Sequence, residues 1–230
     1  MQYIVFEGIE GSGKSTAMSN VHQSLTDLNI DHIITRHPGS TPLGKHLRLL
    51  TKYPEEIDKN IILDELSTQL FMVIDAINFN RTILKPSLDA GVVVLADRCN
   101  PISMLAYGIA EGLSYLQIDK LLNIIEPMKP DKLYIMDCSP EVSYDRMLKQ
   151  NGGDKTGLDR FERKGLPYVK KLYELYHSLM TGDPAFVTLA RQCVNFQSII
   201  YIDSTQDPVV ISQQISADIV KGLREIGRDI

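Results

Sequence analysis

The segment Gly8-Ile9-Glu10-Gly11-Ser12-Gly13-Lys14-Ser15 constrains this chain more than any other. It satisfies the spacing G-x-x-x-x-G-K-[ST], follows an apolar run at Tyr3–Phe6 directly, and opens a stretch of helical spacing at Lys14–Leu28. A glycine-rich turn capped by a hydroxyl is the plain alternative, but a packed core has no use for three glycines, an acid, a lysine and two hydroxyls in a row. In a strand–loop–helix context the glycines let successive backbone N–H groups turn inward around phosphate oxygens, where side chains would clash. The helix N-terminus adds the positive end of its dipole. Gly8, Gly11, Ser12, Gly13, Lys14, Ser15 and Thr16 are therefore expected to hold a nucleoside triphosphate. Lys14 should bridge its β- and γ-phosphates, and the Ser15 hydroxyl should ligate Mg²⁺.

Four further apolar, β-branched runs follow, at His32–Thr35, Val92–Ala96, Leu133–Met136 and Ile199–Ile202. Helical spacing fills the intervals at Lys14–Leu28, after Thr41, at Asp58–Leu88, across Ser103–Ile125, at Pro140–Lys149, Asp159–Met180 and Pro208–Ile226. Strands alternating with helices imply right-handed crossovers and a parallel sheet. The expectation is an α/β, P-loop NTPase-type three-layer sandwich, with a five-stranded parallel sheet covered by helices on both faces. At 230 residues it reads as a single domain. Asp159-Arg160-Phe161-Glu162 has the D-x-x-E form of a capping box, so a helix should start near Asp159. The polar, glycine-rich Gln150–Gly157 before it reads as a mobile loop or a solvated linker, within a lid region around 146–160.

Composition excludes several classes. Charged residues make up 23% and hydrophobic residues 43%, which disfavours disorder. No apolar run reaches the roughly 18 residues that span a bilayer, and the N-terminus lacks signal-peptide features, so no membrane partner and a cytoplasmic location are expected. A net charge of −5 disfavours nucleic acid as a partner. Cys99, Cys138 and Cys193 lie far apart and read as core thiols rather than a zinc site or disulfides.

Three constellations come after the phosphate loop. Thr35–Gly44 (TRHPGSTPLG) leaves the second strand as a turn-rich loop carrying Arg36. Leu70–Asn78 (LFMVIDAIN) lies in a helix, and Asp97-Arg98 ends the third strand at the carboxyl edge, where open α/β sheets bind ligands. Taken singly, Arg36 could be a surface charge, Phe71 a core residue and Asp97 a helix cap. In this order the motifs resemble the thymidylate kinase family of P-loop nucleoside monophosphate kinases. FEGIEGSGKST is similar to F-E-G-x-[DE]-G-x-G-K-[ST], and TRHPGSTPLG to T-R-E-P-G-G-T-P-x-G. ADRCNPISMLAYG, LDRFE and YIDST resemble the family's D-R-Y-x-x-S-x-x-A-Y-Q, D-R-F-E and I-D-A segments.

The resemblance implies transfer of the γ-phosphate of ATP, with Mg²⁺, to a pyrimidine deoxynucleoside monophosphate, dTMP or a related nucleotide. By position, Arg36 and Arg98 would hold the acceptor phosphate, with Asp97 and Ser103 beside them, and Glu10 would approach the sugar 3′-hydroxyl. Phe71 would stack on the base and Tyr107 would crowd the ribose. An acid inside an anion-binding loop is tolerated if it faces the other substrate, which suits Glu10. The loop carries no arginine of its own, so the catalytic cations beside Lys14 and Arg98 would come from the lid: Arg146, Lys155 and Arg160. Members of the family usually pair as homodimers, and the Asp58–Leu88 helix could serve.

The resemblance fails on the acceptor side. Asp75 stands where the family places an arginine that donates to the thymine carbonyl, His37 replaces a glutamate and Cys99 an aromatic residue. One extra residue precedes Ser103, Gly108 replaces a glutamine, and Asp183–Gln197 reads as an insertion. Either the helix slips in register or the base is read differently. dCMP, dUMP or 5-hydroxymethyl-dUMP are then alternative acceptors. Outside the kinases, a nucleotide-dependent switch or a binding module is the alternative; the N-K-x-D motif of guanine-specific switches is not present.

Overall fold

The computed structural model describes residues 2–152 and 157–227. In chain order it runs β1 (Tyr3–Glu7), α1 (Lys14–Asp27), β2 (His32–Arg36), α2 (Pro42–Lys52), a single turn α3 (Pro54–Ile57), α4 (Glu65–Phe79), a π-helical segment Asn80–Leu84, α5 (Lys85–Asp89) and β3 (Val93–Asp97). It continues with α6 (Asn100–Glu111), α7 (Tyr115–Ile125), β4 (Lys132–Asp137), α8 (Pro140–Gln150), a 3₁₀ turn Glu162–Lys164, α9 (Leu166–His177), α10 (Pro184–Cys193), a 3₁₀ turn Phe196–Ser198, β5 (Ile199–Asp203) and α11 (Pro208–Glu225).

The five strands form one sheet in the order β2-β3-β1-β4-β5, and every pairing is parallel. Successive strand residues alternate between two apolar layers, as the two-residue period of a strand buried on both faces requires. Ile4, Phe6, Leu95 and Met136 pack with α1 and α11 residues such as Val21, Leu25, Ile215 and Ile219. Tyr3, Val5, Val94, Ala96, Leu133 and Ile135 pack on the opposite layer, with side chains of α4, α6, α7, α9 and α10. The three-layer α/β sandwich expected from the sequence is the fold of the protein.

Three boundaries depart from expectation. The helix expected over Asp58–Leu88 begins only at Glu65, because the Asp64 side chain caps it by accepting from the Ser67 amide. It then widens to a π turn at Asn80–Leu84 just before Pro86, a residue with no N–H for the ladder. The Asp159–Glu162 capping box does form: Asp159 Oδ1 accepts from the Glu162 amide and Glu162 Oε2 accepts from the Asp159 amide. Only the 3₁₀ turn follows it. Gly165 at φ +76° breaks the run, and α9 begins at Leu166. The Asp183–Gln197 segment is core rather than decoration, with Phe186, Leu189, Ala190 and Cys193 of α10 buried in the layer shared with α6 and α7. All three cysteines are buried free thiols, and no helix among the described residues is long and apolar enough to cross a membrane.

Candidate active site

The strand register brings the site together. Arg36 ends β2 opposite Asp97 of β3, and Asp97 lies opposite Phe6 of β1, so three carboxyl-terminal strand ends and the loop after β1 converge. In that loop Gly8, Gly11 and Gly13 have φ of +135°, +77° and +91°. At Gly8 a Cβ would stand 2.7 Å from the Met136 carbonyl oxygen, so the position admits no side chain. Gly13 is the N-cap of α1 without any side-chain cap, which leaves the first-turn amides available to an anion. Lys14 Nζ donates to the carbonyls of Gly8 (3.0 Å) and Ile9 (2.8 Å). Burial, and then the like charge of Arg98, push its pKa down to about 8.

Arg98, just past β3, adopts a left-handed backbone conformation at φ +77°, a costly geometry for an arginine. It is held there by its amide donating to the Phe6 carbonyl (2.9 Å) and by Glu7 beneath it. Glu7 is fully buried. Its Oε2 accepts from Arg98 Nη1 (3.2 Å) and Tyr176 Oη (2.8 Å), and its Oε1 accepts from the Cys99 amide (2.9 Å) and Ser103 Oγ (2.7 Å). The other side of the guanidinium meets Glu10, with Nη2 3.0 Å from Oε1, and lies 5.5 Å from the centre of the Tyr107 ring. Burial would raise the Glu10 pKa. Arg98, Lys52 and Lys14 override it and hold the carboxyl well below the usual carboxylate range.

Three adjoining cavities line this edge. The central one is polar: Gly11, Gly13, Lys14, Ser15 and Thr16 on one wall face Arg36, Arg48, Lys52, Asp97 and Arg98 on the other. A second, more apolar cavity is lined by Pro38, Gln69, Met72, Asn100, Ser103, Met104, Tyr107 and Phe161, and shares Glu10, His37, Lys52 and Arg98 with the first. A third lies on the far side of the phosphate loop, between Arg146 and the Ser204–Pro208 segment that precedes α11. Through the residues they share, the three cavities join into one groove along this edge.

Lys14, Ser15, Thr16, Arg36, Asp97 and Arg98 all line the central cavity, and Arg36 Nε reaches Asp97 Oδ2 at 3.0 Å. Ser12 is buried behind the loop with its hydroxyl unpartnered. Ser103 and Tyr107 line the apolar cavity, though the Ser103 hydroxyl is committed to Glu7. Phe71, expected at the base, is half-buried and lines neither cavity; its neighbour Met72, together with Gln69, does so instead. Asp75 is buried behind the cavity wall rather than facing it. Neither Arg146 nor Arg160 of the lid lines the central cavity. Arg146 donates to the Ser204 carbonyl (3.1 Å) in the third cavity, and Arg160 turns to α4, where it donates to Thr68 Oγ1. Lys155 lies outside the described residues.

Among the described residues, Arg48 and Lys52 are further cations of the central cavity. Thr41 caps α2, accepting from the Gly44 amide, and the four-residue spacing puts both cations on the face turned to the phosphate loop. Lys52 Nζ pairs with Asp159 at 2.6 Å and lies 3.7 Å from Glu10. The spacing Arg48-x-x-x-Lys52 on a capped helix was the available signal, and it is indistinguishable from a solvated charged face until the helix is docked.

A parallel sheet carrying a phosphate loop that faces a second cationic cradle defines a P-loop nucleoside monophosphate kinase, a phosphotransferase. The family model for thymidylate kinase matches residues 6–196. The chain is 34% identical over 188 residues to a thymidylate kinase of Legionella pneumophila strain Paris, covering 81% of this chain and 84% of that one. It is 33% identical over 189 residues to that of Halothermothrix orenii (81% and 87%), and 28% identical over 227 residues to that of Nitratidesulfovibrio vulgaris (97% and 96%). The protein belongs to the thymidylate kinase family.

Proposed function

We propose that the protein transfers the γ-phosphoryl group of ATP to the 5′-monophosphate of a pyrimidine deoxynucleoside, dTMP or a close relative, giving the diphosphate. The observation that carries this reading is the central cavity, where Lys14 and the α1 amides share the lining with Arg36, Arg48 and Arg98, and Glu10 pairs with Arg98. The chemistry needed is alignment of two anions and neutralisation of the charge that spreads over the transferred group, with no covalent step for the protein. The loop amides and Lys14 grip the triphosphate. The three arginines offer forked donors to the acceptor phosphate. Glu10, ionised and salt-bridged on the acceptor side, accepts from the sugar 3′-hydroxyl, and Tyr107 stands behind the ribose. The Ser204–Pro208 segment and Arg146 take the adenosine end. Phe161, closing the apolar cavity, keeps water from the transfer.

The residues fit a magnesium ion. Ser15 lines the central cavity, and Asp97 Oδ1 is buried with no protein partner, as a ligand of a hard cation or its water would be. Ser15 and Asp97 are the residues that would hold Mg²⁺, which would neutralise phosphate charge. A coupled ADP-release assay with ATP, Mg²⁺ and dTMP tests the reading. ADP formation should depend on the added monophosphate, and ADP release indifferent to it would refute transfer. The reaction belongs to the cytoplasm, where ATP and the monophosphate, the two partners of this groove, are found together. The chain further acts as a homodimer, joined through α4, whose Leu66, Leu70 and Ile74 form an exposed apolar stripe at four-residue spacing.

A further inference from the structure

One wall of the apolar cavity is built around a carboxylate that does not line it. Asp75 is 1% exposed, and its oxygens are taken by three donors: the Asn100 side-chain amide (2.7 Å), His37 Nδ1 (3.4 Å) and the Gly39 amide (3.4 Å). Gly44 makes room for it, since any Cβ there would collide with Asp75 Oδ1. A carboxylate only accepts, so the group Asn100 presents to it must be the NH₂. The same NH₂ also faces the Met72 carbonyl at 3.4 Å, a second acceptor. Asn100 Oδ1 is thereby turned the other way, buried and without any partner, in a side chain that lines the cavity. His37, with Nδ1 towards Asp75 and its ring edge-on to Phe79, likewise leaves Nε2 buried and unpartnered, and Gln69 Oε1 makes a third such atom on the same wall. Orphaned polar atoms in a buried wall are expensive unless something donates to them.

We infer that this wall selects a pyrimidine carrying an extra hydrogen-bond donor on its C4–C5 edge, with Asn100 as the residue that reads it and Asp75 as the positioning residue behind. This rests on the pyrimidine monophosphate kinase reading above. Thymine offers one donor, N3–H, between two carbonyl acceptors. Against Asn100 Oδ1 and two further unpaired atoms it leaves acceptors facing acceptors. A 4-amino group turns the C4 acceptor into two N–H donors while N3 becomes an acceptor, and a hydroxyl on the 5-methylene adds an O–H to an otherwise unchanged edge; either one puts a donor on the C4–C5 edge for a further atom of the wall.

The test is the wild-type enzyme with ATP and five acceptors: dTMP, dUMP, dCMP, 5-hydroxymethyl-dUMP and 5-hydroxymethyl-dCMP. The ratio of kcat/KM for dCMP over dUMP reports the exchange of O4 and N3–H for an amine and a bare N3, and that for 5-hydroxymethyl-dUMP over dTMP isolates a single oxygen atom. At least one ratio should exceed tenfold, and which one does so names the donor. If both stay below tenfold while dTMP is turned over, this inference fails and the kinase reading stands; if none of the five stimulates ADP release, the kinase reading fails and takes this with it. Asn100→Leu and Asp75→Asn should each cut the favoured ratio at least fivefold. A merely structural role for either residue would lower all five rates together and leave the ratio where it was, which would overturn the assignment.

Discussion

Lys14 shows how a single residue carries both the strain and the affinity of the loop. Its ammonium is buried beside Arg98 and stabilised by two loop carbonyls. A lysine whose pKa falls on folding is a group the folded state would rather leave unprotonated, so rising pH above about 8 relieves its burial and stabilises the fold. The same deprotonation removes the charge that grips the triphosphate. Affinity for a non-hydrolysable ATP analogue should therefore weaken about tenfold between pH 7 and pH 9 by calorimetric titration, and Lys14→Met should bind weakly with little dependence over that range. Arg98 makes a second case. Replacing its planar fork by a point charge in Arg98→Lys should lower kcat/KM for the acceptor about a hundredfold, because Glu7, Glu10 and the acceptor phosphate are reached at once only by a branched group. Steady-state kinetics with circular dichroism as a check on folding would decide it. Of these residues the sequence made the phosphate loop legible, because its spacing is dictated by backbone geometry alone. It did not show Glu7 as the hub under Arg98, since a buried strand-end carboxylate carries no spacing signal.

At the scale of elements, the strands were legible and the helix limits were not. The central strands β1, β3 and β4 are apolar runs buried on both faces, so their hydrophobicity speaks for itself, and the half-buried edge strands β2 and β5 still carry β-branched pairs. The ends of α4 and α9 depend on Asp64, Pro86 and Gly165, local devices that helical spacing passes over. Arg48 and Lys52 were hidden for a related reason: their function comes from where α2 docks. Arg48→Met should raise the KM for the acceptor at least tenfold, as loss of a charge-assisted contact does, with a smaller effect on the KM for ATP. The α10 segment, which reads in the sequence as an insertion, is part of the core beside α6 and α7. Phe186 is 1% exposed, so Phe186→Ala should cost about 3–5 kcal/mol of stability in urea unfolding. A loss below about 1 kcal/mol would show α10 to be a dispensable appendage.

For the molecule as a whole, the groove runs along the carboxyl edge of the sheet, from the segment before α11 across the phosphate loop to α4 and α6. The inner face of α4 supplies Gln69 and Met72 to that groove, while Leu66, Leu70 and Ile74 on its outer face are each about two-fifths exposed. A helix that must hold the acceptor wall rigid on one side gains from being clamped on the other, and a two-fold pairing of identical stripes does this without a second partner. Sedimentation velocity at tens of micromolar should therefore give twice the 25.9 kDa chain mass. Leu70→Asp places like charges face to face across such an axis and should yield a monomer with a raised acceptor KM, because the wall loses its support. Wild-type protein sedimenting as a single chain would remove the dimer, and the apolar outer face of α4 would then have no role in bracing the acceptor wall.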